Sequence, residues 1–400
     1  MLSFAILLAS LIFLFLVIEV KSIPSIPIIA AFFVRLALSF LYFYQFLEPP
    51  HGDQRGFMGR AIRWSELDWG ALFQNFIPDH SYVISAIGAL IFKIFGVHPQ
   101  ALILINVFLG TLLVVLTHVL AHKLIGKKRA DFVVWFAALF PPTVIHSSIF
   151  LREVWASSAF MIGIINIYKW RQFRSPLILL YAILAFSMAS CFHGAYAVTF
   201  LVIFAFSFSD FLSSFKKSRS KKILYGFISM VILASIIVGV LAYNVTLGSI
   251  GNLAENVNDP LAAADSRLSQ DLRGGSAYPS WVGGEDASGK VWLIPIRTVY
   301  FLFSPFPWDI RSPGHLMGFV STFVFAYIAT SIYKSRHYLY ARKDMLIVIS
   351  LVSLMILVFS IGTGNIGTSI RHRTKFLFPL LALCAFPVSK RVYFQGSRKN

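Results

Sequence analysis

Charge is what this 400-residue chain has least of. Only 13% of its residues are charged, about half the share of a soluble domain, roughly 25%. Acids are scarcer still, 17 against 35 Lys and Arg. There are two cysteines, Cys191 and Cys384, both inside apolar stretches. That excludes a disulfide scaffold and leaves the redox compartment uninformative. No phosphate-cradling Gly-Lys loop, dinucleotide fingerprint, zinc-protease pattern or paired-Cys metal spacing occurs, so ATP-driven chemistry has no motif here. What fills the space is apolar: 57% hydrophobic residues, 40 Phe and a mean hydropathy of +0.74. The composition excludes a cytosolic globular enzyme and a disordered chain. It predicts an all-α polytopic membrane protein, one integral membrane domain over residues 1–400.

A spanning helix needs about 20 mostly apolar residues. Eleven runs meet or approach that length: 2–20, 25–46, 100–122, 131–150, 154–169, 176–192, 194–213, 223–243, 315–333, 345–362 and 374–389. The first lacks a basic n-region and a small-residue cleavage site, so it reads as a span rather than a signal peptide. Two further pieces are shorter or broken. Tyr82–Gly96 and Val291–Trp308 read as interfacial or re-entrant helices, the second interrupted by Pro295, Arg297, Pro305 and Pro307.

The net charge of +18 invites a nucleic-acid reading, which its distribution removes. Basic residues cluster at Lys21, Lys123–Arg129, Lys169–Arg174, Lys216–Lys222, Lys334–Lys343 and Lys390–Lys399, alternating with the spans. These clusters hold 21 of the basic residues and only four acids, Glu19, Asp131, Asp210 and Asp344; the other side balances 13 against 13. Arg35, midway along the second run, is the remainder and needs a partner inside the bundle. The positive-inside rule absorbs the excess, placing the N-terminus outside and the C-terminus in the cytoplasm. No nucleic-acid partner is expected. The expected address is the cell inner membrane.

Two long outer loops follow, 47–99 with interfacial helices and 244–312 with a re-entrant segment. The first is the candidate catalytic loop. It carries Asp53 between Gly52 and Gly56, where a carboxylate reads either as a solvated loop residue or as a general base or divalent-cation ligand. Asp68 and Asp79 are weaker candidates. Arg152-Glu153 opens a span; the pair reads as a snorkelling Arg with its partner or as a phosphate grip beside a working carboxylate. Arg371, His372, Arg373 and Lys375 crowd an outer helix start, against the topology trend, which points to an anionic ligand or to anionic head groups. His193 beside Gly194 and Arg297 among aromatics complete the set.

The order of these features resembles the GT-C membrane glycosyltransferases, of the protein-mannosyltransferase-like and aminoarabinose-transferase-like kind. The resemblance runs through Asp53, Phe57–Ile62, Leu90–Gly96, the span after Pro99, Ala137-Ala138-Leu139-Phe140-Pro141-Pro142, Ser148 and Leu151-Arg152-Glu153. It covers residues 25–200 in order, and more loosely Phe301–Trp308 and Arg371–Pro379. It implies a transferase that takes a sugar from a polyprenyl-phosphate donor on the outer (periplasmic) face, by single displacement with inversion. Asp53 and Glu153 would be the catalytic carboxylates; Arg152, Arg371, Arg373, His193 and Arg297 would bind substrate. The partners implied are the lipid-linked sugar donor, membrane lipids and a saccharide or lipid acceptor, in cell-envelope polysaccharide or glycolipid synthesis. The chain departs from the family in an extra N-terminal span. It also has Asp53-Gln54 where many members have two acids, so no metal ligand is assigned and a divalent cation stays open. Two other readings fit the same loops: an O-antigen-type polymerase acting on lipid-linked repeat units, and a non-catalytic flippase. The flippase predicts charges deep in the spans or an internal repeat, and no repeat is visible.

Overall fold

The computed structural model describes residues 2–21, 23–49, 52–74, 82–215, 276–283 and 291–384, with short pieces between 226 and 252. The run 223–243, most of the loop 244–290, Asp79 and the tail from 385 lie largely or wholly outside the described residues.

The protein is built almost entirely of helices. Their order is α1 (Leu2–Lys21), α2 (Ser25–Phe43), α3 (Asp53–Ser65), α4 (Trp69–Gln74), α5 (Val83–Phe95), α6 (Pro99–Ile125), α7 (Lys127–Leu139), α8 (Pro141–Ser147), α9 (Arg152–Phe173), α10 (Pro176–Phe192) and α11 (Thr199–Phe215). After a two-residue ribbon, β1 (Thr246–Leu247) with β2 (Gly251–Asn252), come α12 (Ile294–Phe303), α13 (Pro313–Lys334), α14 (Arg336–Ala341), α15 (Lys343–Ile361) and α16 (Ile366–Ala382).

Six helical stretches among the described residues are long and apolar enough to cross a membrane: Leu2–Glu19, Ser25–Phe43, Pro99–Ile125, Gly194–Leu212, Gly314–Lys334 and Asp344–Ile361. A seventh forms if α7 and α8 are taken as one span bent by 59°. Among the described residues the eleven apolar runs thus give six helices that qualify by themselves and a seventh only as a bent pair. The run 154–169 lies within α9, whose polar first and last turns dilute its apolarity, and 176–192 forms a helix of 17 residues. Of the run 374–389, residues 374–382 are the latter part of α16, which begins at Ile366 because Asn365 caps it, its side chain accepting from the Gly367 and Thr368 amides.

The break between α7 and α8 follows from Pro141-Pro142. The residue before a proline is pushed out of the helical region, and Phe140 is extended, with φ −62° and ψ 114°. The carbonyls freed at the end of α7 need donors. Arg35 supplies them. Its guanidinium donates to Ala138 O at 2.7 Å, Ala137 O at 3.4 Å, Ala31 O at 3.0 Å and Ser147 Oγ at 2.8 Å. The partner Arg35 requires inside the bundle is therefore backbone and hydroxyl oxygen, and the residue is structural. α6 passes close by at Gly110, where an added Cβ would collide with the Ser147 side chain.

The described residues of the loop 47–99, expected to lie outside, form a helical module. α3 and α5 pack together through Phe57, Ala61, Val83 and Ile84, and the Lys93 ammonium donates to the Ser65 and Leu67 carbonyls. Asp68 caps α4, accepting from the Ala71 amide at 3.0 Å.

The two ends of the bundle differ chemically. One gathers basic turns onto acids and carbonyls: Arg342 reaches Asp344, Tyr168 Oη and Leu124 O, and Arg171 and Arg174 share Asp210. The other end carries Asp53, Glu153 and Arg371. α9 connects the two, and its 22 residues measure about 33 Å at 1.5 Å each, close to the roughly 30 Å of a hydrocarbon core.

Candidate functional site

Three helices deliver the site. Asp53 is the first residue of α3 and Glu153 lies in the first turn of α9, positions where a helix dipole favours a carboxylate. Arg371 lies in the second turn of α16. Its Nε donates to Glu153 Oε1 at 2.8 Å, and a terminal nitrogen donates to Asp53 Oδ2. One guanidinium thus joins two carboxylates that are 100 residues apart in sequence.

The carboxylates are not equivalent. The Glu153 side chain is 3% exposed and that of Asp53 is 50% exposed. Glu153 Oε2 has no hydrogen-bond partner among the described residues. Arg371, Lys375, Arg152 and His146 all lie close enough to act on the Glu153 charge. Arg152 also sits over the Phe57 ring, its Cζ 5.8 Å from the centroid.

Lys375 stands four residues after Arg371, on the same face of α16. It is fully buried, its Nζ lies 4.8 Å from the Phe359 ring centre, and it has no hydrogen-bond partner among the described residues. A buried ammonium without an acceptor is costly to hold. His193, at the end of α10, and His372 meet edge to face at 5.4 Å, and both rings lie against Phe359. Beside Glu153 is a cavity of about 20 Å³, lined also by His146, Ser147, Ser157 and Thr374. It has room for about one water molecule.

Five of the seven sequence-predicted residues, Asp53, Glu153, Arg152, Arg371 and His193, therefore converge at one end of the bundle. Arg373 and Arg297 do not join them. Two residues beyond Arg371, Arg373 points to the opposite side of α16. Its two terminal nitrogens are spent on the Leu302, Ser304 and Gly318 carbonyls and Ser321 Oγ. That geometry corrects the expectation of a phosphate contact: Arg373 clamps the end of α12 to α13. Arg297 is buried in α12, donates to Thr363 O at 3.4 Å, and shares the neighbourhood of Tyr278 with Arg373.

Sequence reading placed His372 and Lys375 in the cationic cluster without giving either a role of its own, and left His146 out. For Lys375 the signal was present, since a spacing of four puts it beneath Arg371. For His146 none was, because it arrives through the bend after Pro141. Among the described residues no group of three or more His, Cys, Asp or Glu is placed to hold a metal ion; the nearest cation to both acids is the Arg371 guanidinium. The chain matches no protein-family model, no curated protein and no solved structure.

Proposed function

We propose that the protein is a GT-C-type membrane glycosyltransferase that moves a sugar from a polyprenyl-phosphate donor to an acceptor hydroxyl at the outer face of the cell inner membrane. The observation that carries this reading is the meeting of Arg371 with Asp53 and Glu153 beside the buried Lys375, which has no hydrogen-bond acceptor among the described residues. Asp53, the exposed acid, takes the acceptor proton. The acceptor oxygen attacks the anomeric carbon, and the carbon–oxygen bond to phosphate breaks with its electron pair on phosphate. Arg371, Lys375 and Arg152 meet the charge that grows on the leaving group. Glu153 holds Arg371 in place, and His193 packs the wall of the site.

Charge counting supports a transferase over a polymerase. Burial pushes the Lys375 ammonium toward the neutral amine and an arriving anion favours its charged form, so in the loaded site three cations against two carboxylates leave one net positive charge. A sugar phosphodiester carries one negative charge and is matched; the diphosphate link of a repeat-unit carrier brings two. A flippase reading is supported less, because Asp53, Arg152 and Glu153 sit at helix starts at one pole rather than at the midplane. The test is turnover by the purified protein given both donor types. Release of polyprenyl phosphate from the monophosphate-linked sugar, lost in Asp53→Asn at unchanged membrane insertion, is expected. Consumption of the diphosphate-linked saccharide alone would refute it.

A further inference from the structure

The base and the anion grip are not independent in this structure. Asp53 makes a single side-chain bond among the described residues, to Arg371. A carboxylate held by a guanidinium has its charge neutralised and a lone pair occupied, so it is a poor proton acceptor. The two arms of Arg371 are also unlike. Nε is fixed by Glu153, which is buried, while one terminal nitrogen bonds Asp53, which is half exposed on the first turn of α3. The buried contact is the anchor and the exposed one is exchangeable, because exposed ion pairs contribute about 1 kcal/mol or less.

We infer that Arg371 is shared between Asp53 and the anionic donor: the donor's phosphate displaces Asp53 from the guanidinium and thereby frees the carboxylate for the acceptor hydroxyl. The inference rests on the donor reading above. An entering phosphate has an advantage over Asp53, since its charge also acts on Lys375, which lies close enough to Arg371, Arg152 and Glu153 to feel their charges and has no hydrogen-bond acceptor among the described residues. Once seated, it repels the Asp53 carboxylate by like charge. Glu153 keeps Arg371 in place throughout. The consequence is an order of events in which the base becomes competent only after the donor has bound, so no acceptor is deprotonated at an empty site.

The experiment is binding of a long-chain polyprenyl monophosphate to the purified full chain in nanodiscs, without turnover. Removing the competitor should tighten binding: Asp53→Asn and Asp53→Ser should each bind about fivefold more tightly than wild type. Asp53→Glu, which keeps the competing charge, should bind as wild type does, and Arg371→Ala should lose binding. Equal or weaker binding by both Asp53→Asn and Asp53→Ser, with Arg371→Ala still defective, would overturn the exchange and leave the donor reading standing. No binding by wild type or by any Asp53 variant would overturn both.

Discussion

Arg371 and Arg373 are two residues apart on one helix and have opposite employment. Arg371 bonds two carboxylates at the bundle end, whereas Arg373 bonds three carbonyls and a hydroxyl between helices. Their variants should separate cleanly. Arg371→Ala should abolish transfer, and Arg371→Lys should keep part of it, retaining charge but losing the planar fork. Arg373→Ala should instead lower stability by about 3 kcal/mol or more, since several buried acceptors lose their donor; denaturant titration reads this directly. Lys375 is a third case. Lys375→Met should weaken donor binding while raising the melting temperature of the donor-free protein, because a buried amine without a hydrogen-bond acceptor among the described residues is replaced by an apolar chain of similar size. A lower melting temperature would show that the ammonium has a structural partner instead.

At the scale of elements, the broken pair α7–α8 and its neighbours fix the floor of the site. Pro141 ends one helix, Arg35 satisfies the freed carbonyls, and the bend carries His146 and Ser147 to the cavity beside Glu153. Gly110 permits α6 to approach this bend, so Gly110→Ala should cost about 1–3 kcal/mol through overpacking. How far this was legible depended on the physics of each signal. Asp53, Glu153 and Arg371 could be found because each is a charge at the border of an apolar run, where charge is expensive. The break at Pro141-Pro142 was written in the residues, but a hydropathy window over 131–150 averages across it. The start of α16 at Ile366 was hidden by the same averaging, since Arg371 to Lys375 pull the window down while the helix continues beneath them. The separate fates of Arg371 and Arg373 follow from helical phase, which becomes readable only once the helix is known to include both.

At the scale of the whole molecule, the two ends of the bundle are chemically distinct, and the expected orientation rests on that difference. Acids paired to basic turns collect at one end, around Arg342, Arg171 and Arg174, and the Asp53–Arg371–Glu153 cluster occupies the other. If basic turns face the cytoplasm, the cluster faces outward. In a chain with Cys191 and Cys384 replaced, an impermeant thiol reagent added from outside should label Glu48→Cys and spare Lys334→Cys. The opposite pattern would place the site in the cytoplasm, where its proposed donor is not presented.

The claim that this outer cluster transfers sugar is tested most directly by turnover of a polyprenyl-phosphate-linked sugar in sealed proteoliposomes, following release of polyprenyl phosphate and formation of the glycosidic product. Wild type is predicted to form both in equal amounts, with Asp53→Asn and Arg371→Ala forming neither and Arg373→Lys still active in whatever fraction remains folded. Movement of the intact lipid-linked sugar across the bilayer without bond cleavage, or undiminished transfer by Asp53→Asn, would contradict it.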